Sequence, residues 1–337
     1  MSEQRGAELD TDQLAAKIHV VAKGDLSKVG YTKDEARSAV AEGLHSQREG
    51  VLQLPSQEDG INMTRVHAYR ERIGIPRKEL RILSPDDYAK ALEVVGLKRG
   101  TEGGKYLPQQ DIIIIKRDPE SEELNGGPEF VEGLAIHEIA HSGNERSVVV
   151  AVKPTRRLLR KSEIEIASTI GRSGFVTTKE GEAEPTGSFL EEGYAELERG
   201  RYVVEELGKP DGFGGQFLPD RASPFDQYSQ RVRNNEGKVV VSLLEGAPAA
   251  AVFELIAKHD PEFVSTLRES RHSVQGLREV ARRLNAVSPS LYMELRRINV
   301  KTEESYREGI QVFKKVKNIL EARATSEAPK SEPPKGE

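Results

Sequence analysis

The stretch Phe130-Val131-Glu132-Gly133-Leu134-Ala135-Ile136-His137-Glu138-Ile139-Ala140-His141 places two histidines and a glutamate in an otherwise apolar run. Its spacing predicts a helix from Phe130 to His141, stopped by Gly143. Residues four apart share a helical face, so His137 and His141 can address a single ion. Imidazole nitrogen suits zinc at about 2.0 Å. Glu138 is turned roughly 100° from His137, which lets it reach a metal-bound water without becoming a ligand itself. A helix this apolar is normally buried. Polar groups inside it cost free energy unless they find partners, and a metal would be one. The plainer alternative is a pair of core histidines satisfied by other side chains.

Two histidines leave a protein ligand to be found. His141 is followed by Ser142-Gly143-Asn144-Glu145-Arg146, with no third histidine nearby. Phe189-Leu190-Glu191-Glu192-Gly193-Tyr194-Ala195-Glu196 is the acidic candidate. Ser188 and Glu191 have the spacing of a capping box, opening a helix from Phe189 to about Leu207 with Gly208 beyond its end. Glu192 and Glu196 share a face, an unfavourable pairing unless something cationic lies against it. Gly193 would let this helix approach the histidine helix closely. Glu191, about 100° away on the helix, is the alternative ligand.

His137-Glu138-Ile139-Ala140-His141 followed by Leu190-Glu191-Glu192-Gly193-Tyr194-Ala195 resembles the gluzincin class of zinc metallopeptidases, the thermolysin-like and aminopeptidase-like enzymes. The resemblance covers roughly residues 106–207. It implies Zn2+ as cofactor, His137, His141 and Glu192 as ligands, and Glu138 as general base. Glu196 matches the carboxylate that orients a zinc histidine in thermolysin-like members, where Asp is commoner. The 50 residues between His141 and Glu192 form a longer gap than in those enzymes. The implied activity is hydrolysis of a peptide or protein substrate. Endopeptidase action is the expectation, because no signature for binding a substrate amino terminus is present. A domain that keeps the zinc site but only binds or regulates is the other reading, and the retained Glu138 weighs against it. Tyr194, Tyr228, His272 and Tyr292 are all conceivable donors to the substrate carbonyl, and spacing selects none.

Outward from these helices, the expected fold is α+β, a zincin-like arrangement with a small mixed sheet and a largely helical C-terminal lobe. Ile112-Ile113-Ile114-Ile115 reads as a buried strand. Val148 to Val152 reads as another, and Arg172 to Thr177 as a strand or hairpin arm. Either the Ile112–Ile115 strand or the one near Gly174-Phe175 could offer an edge to an extended peptide. Thr32 with Glu35 caps a helix reaching about Leu44, a second helix covers Met63 to Ile73, and Ser84-Pro85 opens a third that stops at Gly96. Further helices are expected over 249–258, 261–269, 277–284 and 303–319. The organisation read from this is an N-terminal helical region (1–80), a catalytic core (81–210), a helical lobe (211–321) and a tail (322–337). That tail has no large apolar residue and cannot offset the entropy of ordering.

The chain has 337 residues, 36% hydrophobic and 31% charged, with a net charge of -5. That balance gives no electrostatic reason to bind nucleic acid or an anionic membrane. Arg156-Arg157-Leu158-Leu159-Arg160-Lys161 is basic but carries no interleaved aromatic residue, and reads as a solvated face. The absence of cysteine excludes disulfides, thiolate ligands and cysteine nucleophiles. No run approaches the ~18 apolar residues of a membrane span. No apolar leader follows Met1, so the expected location is the cytoplasm.

Overall fold

The computed structural model describes residues 18–22, 26, 31–98, 102–143, 146–155, 163–173, 175–178, 186–213, 224–298 and 303–327. In chain order its elements begin with β1 (Ile18–Ala22), α1 (Lys33–Leu52), α2 (Met63–Arg72), β2 (Glu79–Leu83), α3 (Pro85–Val94), β3 (Gly104–Leu107) and β4 (Ile112–Lys116). There follow α4 (Pro119–Leu124), α5 (Pro128–Ser142), β5 (Arg146–Thr155), β6 (Glu163–Ser173), β7 (Val176–Thr178) and α6 (Ser188–Glu205). The C-terminal part holds β8 (Ser229–Arg233), β9 (Val239–Leu243), α7 (Ala247–His259), α8 (Phe263–Glu269), α9 (Val274–Val287), α10 (Leu291–Arg297) and α11 (Glu303–Glu327).

The four consecutive isoleucines form the middle of a three-stranded sheet, order β2-β4-β3. β4 runs parallel to β2 and antiparallel to β3. Successive side chains leave opposite faces of a strand. Ile113 and Ile115 meet Val131, Ala135, Ile136 and Ile139 of α5. Ile112 and Ile114 meet Tyr88, Ala91 and Leu92 of α3. Both faces are covered, which is why this strand shows no polar alternation. Its two edges are also taken, so β4 offers none to a peptide. Among the described residues the outer strand next to α5 is β3, and in the other sheet the strand following Phe175, β7, is also an outer one.

A second sheet has order β1-β5-β6-β7, with β1 parallel to β5 and the other pairs antiparallel. The first 80 residues therefore do more than supply the expected helices. β1 joins a strand over a hundred residues away, and β2 begins at Glu79. A short β-branched run such as Ile18-His19-Val20-Val21 does not announce its partner, which only long-range pairing decides. The hairpin near Gly174 is present as β6 and β7, and Gly174 itself lies outside the described residues, as do Arg156 to Lys161.

The C-terminal lobe is largely helical, and its core is shared with α6 and with Ala140 of α5. Phe189, Leu190 and Tyr194 of α6 pack there with Ala250, Phe253, Phe263, Leu284, Leu291 and Val316. Together with the small sheets this is a zincin-like α+β arrangement. The last helix continues to Glu327, six residues into the segment read as a tail. Among the described residues no helix is long and apolar enough to cross a membrane.

Candidate metal centre

Helix α5 starts where Gly127 (φ 93°) turns the chain and Pro128 takes the first helical position. It lies between the β3–β4 sheet and α6. Its histidine face points at α6, whose N-terminal turns carry Glu191, Glu192 and Glu196.

Three donor atoms converge. His137 Nε2 and His141 Nε2 are 3.0 Å apart. Glu192 Oε2 lies 3.3 Å from the first and 3.5 Å from the second. Tetrahedral coordination with bonds of 2.0–2.1 Å separates neighbouring ligand atoms by about 3.3 Å. The triangle thus has the dimensions of one face of a zinc tetrahedron. Two imidazole nitrogens facing each other this closely also require a proton or a cation between them. The donor set, two imidazoles and a carboxylate, suits zinc. His137, His141 and Glu192 are the group among the described residues that could hold a metal ion. All three are half-buried, with Glu192 the most open at 27% side-chain exposure.

Each histidine has a carboxylate behind it. Glu196 Oε1 stands 2.9 Å from His137 Nδ1, although the alignment is poor for a straight hydrogen bond. Glu191 Oε1 stands 3.1 Å from His141 Nδ1. If Nε2 faces an ion, Nδ1 would carry the proton: His141 Nδ1 then donates to Glu191 and fixes that ring, while Glu196 stands beside His137 Nδ1 as an electrostatic partner. Glu191 thus lies on the far side of the His141 ring from the three converging donor atoms. It forms no capping box: Gly187 caps α6 with no side-chain bond, and the Glu191 carboxylate is held by tertiary contacts. Arg271, between α8 and α9, grips it with both terminal nitrogens, and the Phe175 N–H donates to Glu191 Oε2. Arg199 stands 3.4 Å from Glu196, with the Phe130 and Phe213 rings near its guanidinium. Such buried pairs are kept because breaking one leaves an isolated charge, at a cost of about 3–5 kcal/mol.

The field of the cluster favours a cation. Burial pushes the histidines toward neutrality, but Glu192 and its neighbours outweigh it, raising His141 to about 9 and His137 well above its usual value. Burial opposes ionisation of Glu191 too, yet Arg271 and His141 hold it down at about 2. Glu192 is likewise depressed by the two histidines, against its burial.

Glu138 sits beside the cluster without joining it. Its Oε2 accepts from the Tyr106 N–H at 2.8 Å, on the outer edge of β3. A side chain at Gly104 would collide with it, since an added Cβ would lie 2.8 Å from Glu138 Cγ. Burial pushes the Glu138 carboxyl upward, against the pull of the two histidines. A more basic carboxylate is a better proton acceptor near neutrality.

Several expectations change in detail. Gly193 does not face α5. A Cβ there would lie 2.3 Å from Ala249 Cβ, so the glycine serves the approach of α7 to α6. Tyr194 is fully buried beneath the Arg271 guanidinium, 4.2 Å from its ring centre. Tyr228 is buried against Gly200, and Tyr292 packs against the lobe core. Nothing in this geometry brings any of the three to the cluster as a donor, and the His272 side chain lies outside the described residues. The sequence reading missed Arg271, Arg199 and the Gly104–Tyr106 edge. The Gly103-Gly104 pair before a short strand is the one local signal that marked a close approach. None of the protein-family models matches this chain, and neither does any curated protein or solved structure.

Proposed function

We propose that this protein is a zinc-dependent metallopeptidase of the endopeptidase type. The observation that carries this reading is the donor triangle of His137, His141 and Glu192 with Glu138 beside it at a strand edge. Bound there, zinc would supply Lewis acidity toward a carbonyl oxygen. The chain's own groups supply the rest. Glu138, anchored through one oxygen to Tyr106 N–H, has the other free to take a proton from the attacking water and pass it to the leaving amine. Glu191 and Glu196 keep the two imidazoles oriented. Among the described residues β3 pairs with β4 alone, and a substrate in extended conformation would lie along its outer side, where Gly104 and Glu138 meet, so that the scissile bond is aligned beside the cluster. A purely structural zinc site needs no carboxylate held beside its ligands, which favours catalysis over simple binding.

Glu138→Gln tests this directly. It keeps the Tyr106 contact and removes the base. Zinc content and folding are expected to stay as in wild type, while cleavage of an unbiased peptide library, read by mass spectrometry, falls by 10²–10⁴-fold. Equal zinc-dependent cleavage by both proteins would remove Glu138 from the mechanism. Cleavage by neither would favour a binding domain.

A further inference from the structure

The half of the site behind His141 is built from three separate parts of the chain. Arg271 is 3% exposed and comes from the C-terminal lobe. Its Nη1 donates to Glu191 Oε2 at 2.9 Å, and its Nη2 donates both to Glu191 Oε1 and, at 3.0 Å, to the Ala140 carbonyl. One guanidinium thus binds α6 through a carboxylate and α5 through the backbone beside His141. Phe175, just before β7, adds its N–H to the same carboxylate at 3.1 Å. Tyr194 covers the guanidinium from one side. A planar fork of donors is what this arrangement uses, and a lysine would reach only part of it.

We propose that Arg271 and Glu191 form a positioning pair for His141. The pair sets the direction of the His141 ring, and with it the affinity of the site for zinc, from a lobe that contributes no ligand. This rests on the zinc reading above. A pair that merely stabilised the fold would leave the metal affinity of the folded protein untouched. A positioning pair changes that affinity while the fold persists.

The test uses the full chain, prepared zinc-free, and measures zinc affinity by competition with a chromophoric chelator alongside circular dichroism of the apo form. Glu191→Gln keeps the side-chain shape. The double variant E191Q/R271M removes both charges, so no buried charge is left alone. Arg271→Lys keeps the charge and loses the fork. Arg283→Met breaks a different ion pair of the lobe, with Asp260, and serves as the stability control. Glu191→Gln and the double variant are expected to fold without zinc and to bind it 10–100-fold more weakly, the range of outer-shell partners. R271K should fall between them and wild type. R283M should lower the melting temperature and leave affinity unchanged. A folded E191Q/R271M with wild-type affinity overturns the proposal. So does failure of all the Glu191 and Arg271 variants to fold, which would make the pair an element of the fold alone. Wild type that takes up no zinc overturns the metal reading as well, so the two failures are told apart by wild type itself.

Discussion

Helices α5 and α6 meet at the same cluster, but they bury different things. α5 packs Phe130, Val131, Ala135, Ile136 and Ile139 against the sheet and its neighbours, and few charged groups are buried on it: Glu132 and Glu138. α6 buries Glu191, Glu196, Glu198 and Arg199 alongside Phe189, Leu190 and Tyr194. Apart from the Arg199–Glu196 contact within the helix, the charges of α6 are answered by other elements. Arg271 and Arg268 come from the C-terminal lobe to Glu191 and Glu198, and His137 comes from α5 to Glu196. The apolar faces of α5 are thus set by its own pattern, although its buried Glu132 takes partners from Arg65 and Tyr202, whereas most of the buried charge of α6 depends on its neighbours. An acidic helix that looks solvent-facing in sequence can be a buried one whose partners lie 70–80 residues away.

The largest expected effect tests whether both helices own the metal. His137→Ala, His141→Ala and Glu192→Ala should each weaken zinc binding by more than the ~100-fold reached by outer-shell changes, whereas Glu196→Gln should cost about 10–100-fold. Chelator competition on the folded proteins measures this. Full zinc affinity in E192A would leave the site to α5 alone and break the comparison.

Next in size is the packing that holds α6 in place. Gly193→Ala puts a methyl group 2.3 Å from Ala249 Cβ. It should destabilise the protein by about 1–3 kcal/mol, as overpacking does, measured by denaturant unfolding of the apo form. A neutral result would show that α7 can move off α6 freely, and that α6 is held chiefly by its ion pairs.

The smallest effect sets a scale for a solvent-facing carboxylate. Glu279 on α9 is held at about 2, below the usual 4.5, by hydrogen bonds from Arg282 and then Arg283. Its folded pKa is depressed, so its contribution is present above about 4.5 and is lost as pH falls from there toward 2. Because the group is exposed, the contribution is small and screened by salt. Wild type and E279Q should differ slightly in urea midpoint at pH 7, the gap narrowing as pH falls below 4.5 and closing only below about 2. A gap unchanged at low pH would assign the difference to something other than this charge.

The convergence of His137, His141 and Glu192 was legible in the sequence because its logic is local. His137 and His141 are one turn apart, Glu138 is adjacent, and Glu192 with Glu196 repeats the same spacing on a second helix. The 3.6-residue period fixes those relations before any tertiary contact forms. The Ile112–Ile115 strand was legible for a similar reason, since four β-branched residues in a row require cover on both faces. The same local logic misread Glu191. Its capping-box spacing with Ser188 is real, but Arg271 and His141 offer a buried carboxylate more than a helix cap at the surface does.

The sequence by itself thus determined the two helices, the central strand, and the chemistry of the donors along them. Only the tertiary structure decided which glutamate joins the two Nε2 atoms and which stands behind a histidine, because Glu191 and Glu192 are neighbours about 100° apart and either direction is open to a lone helix. It also decided that β4 lies inside its sheet with β3 on the side next to α5, and that Gly193 serves α7. Pairing across a sheet and contact between helices are long-range choices. They are settled by which apolar faces and buried charges find partners, and periodicity along the chain does not encode those partners.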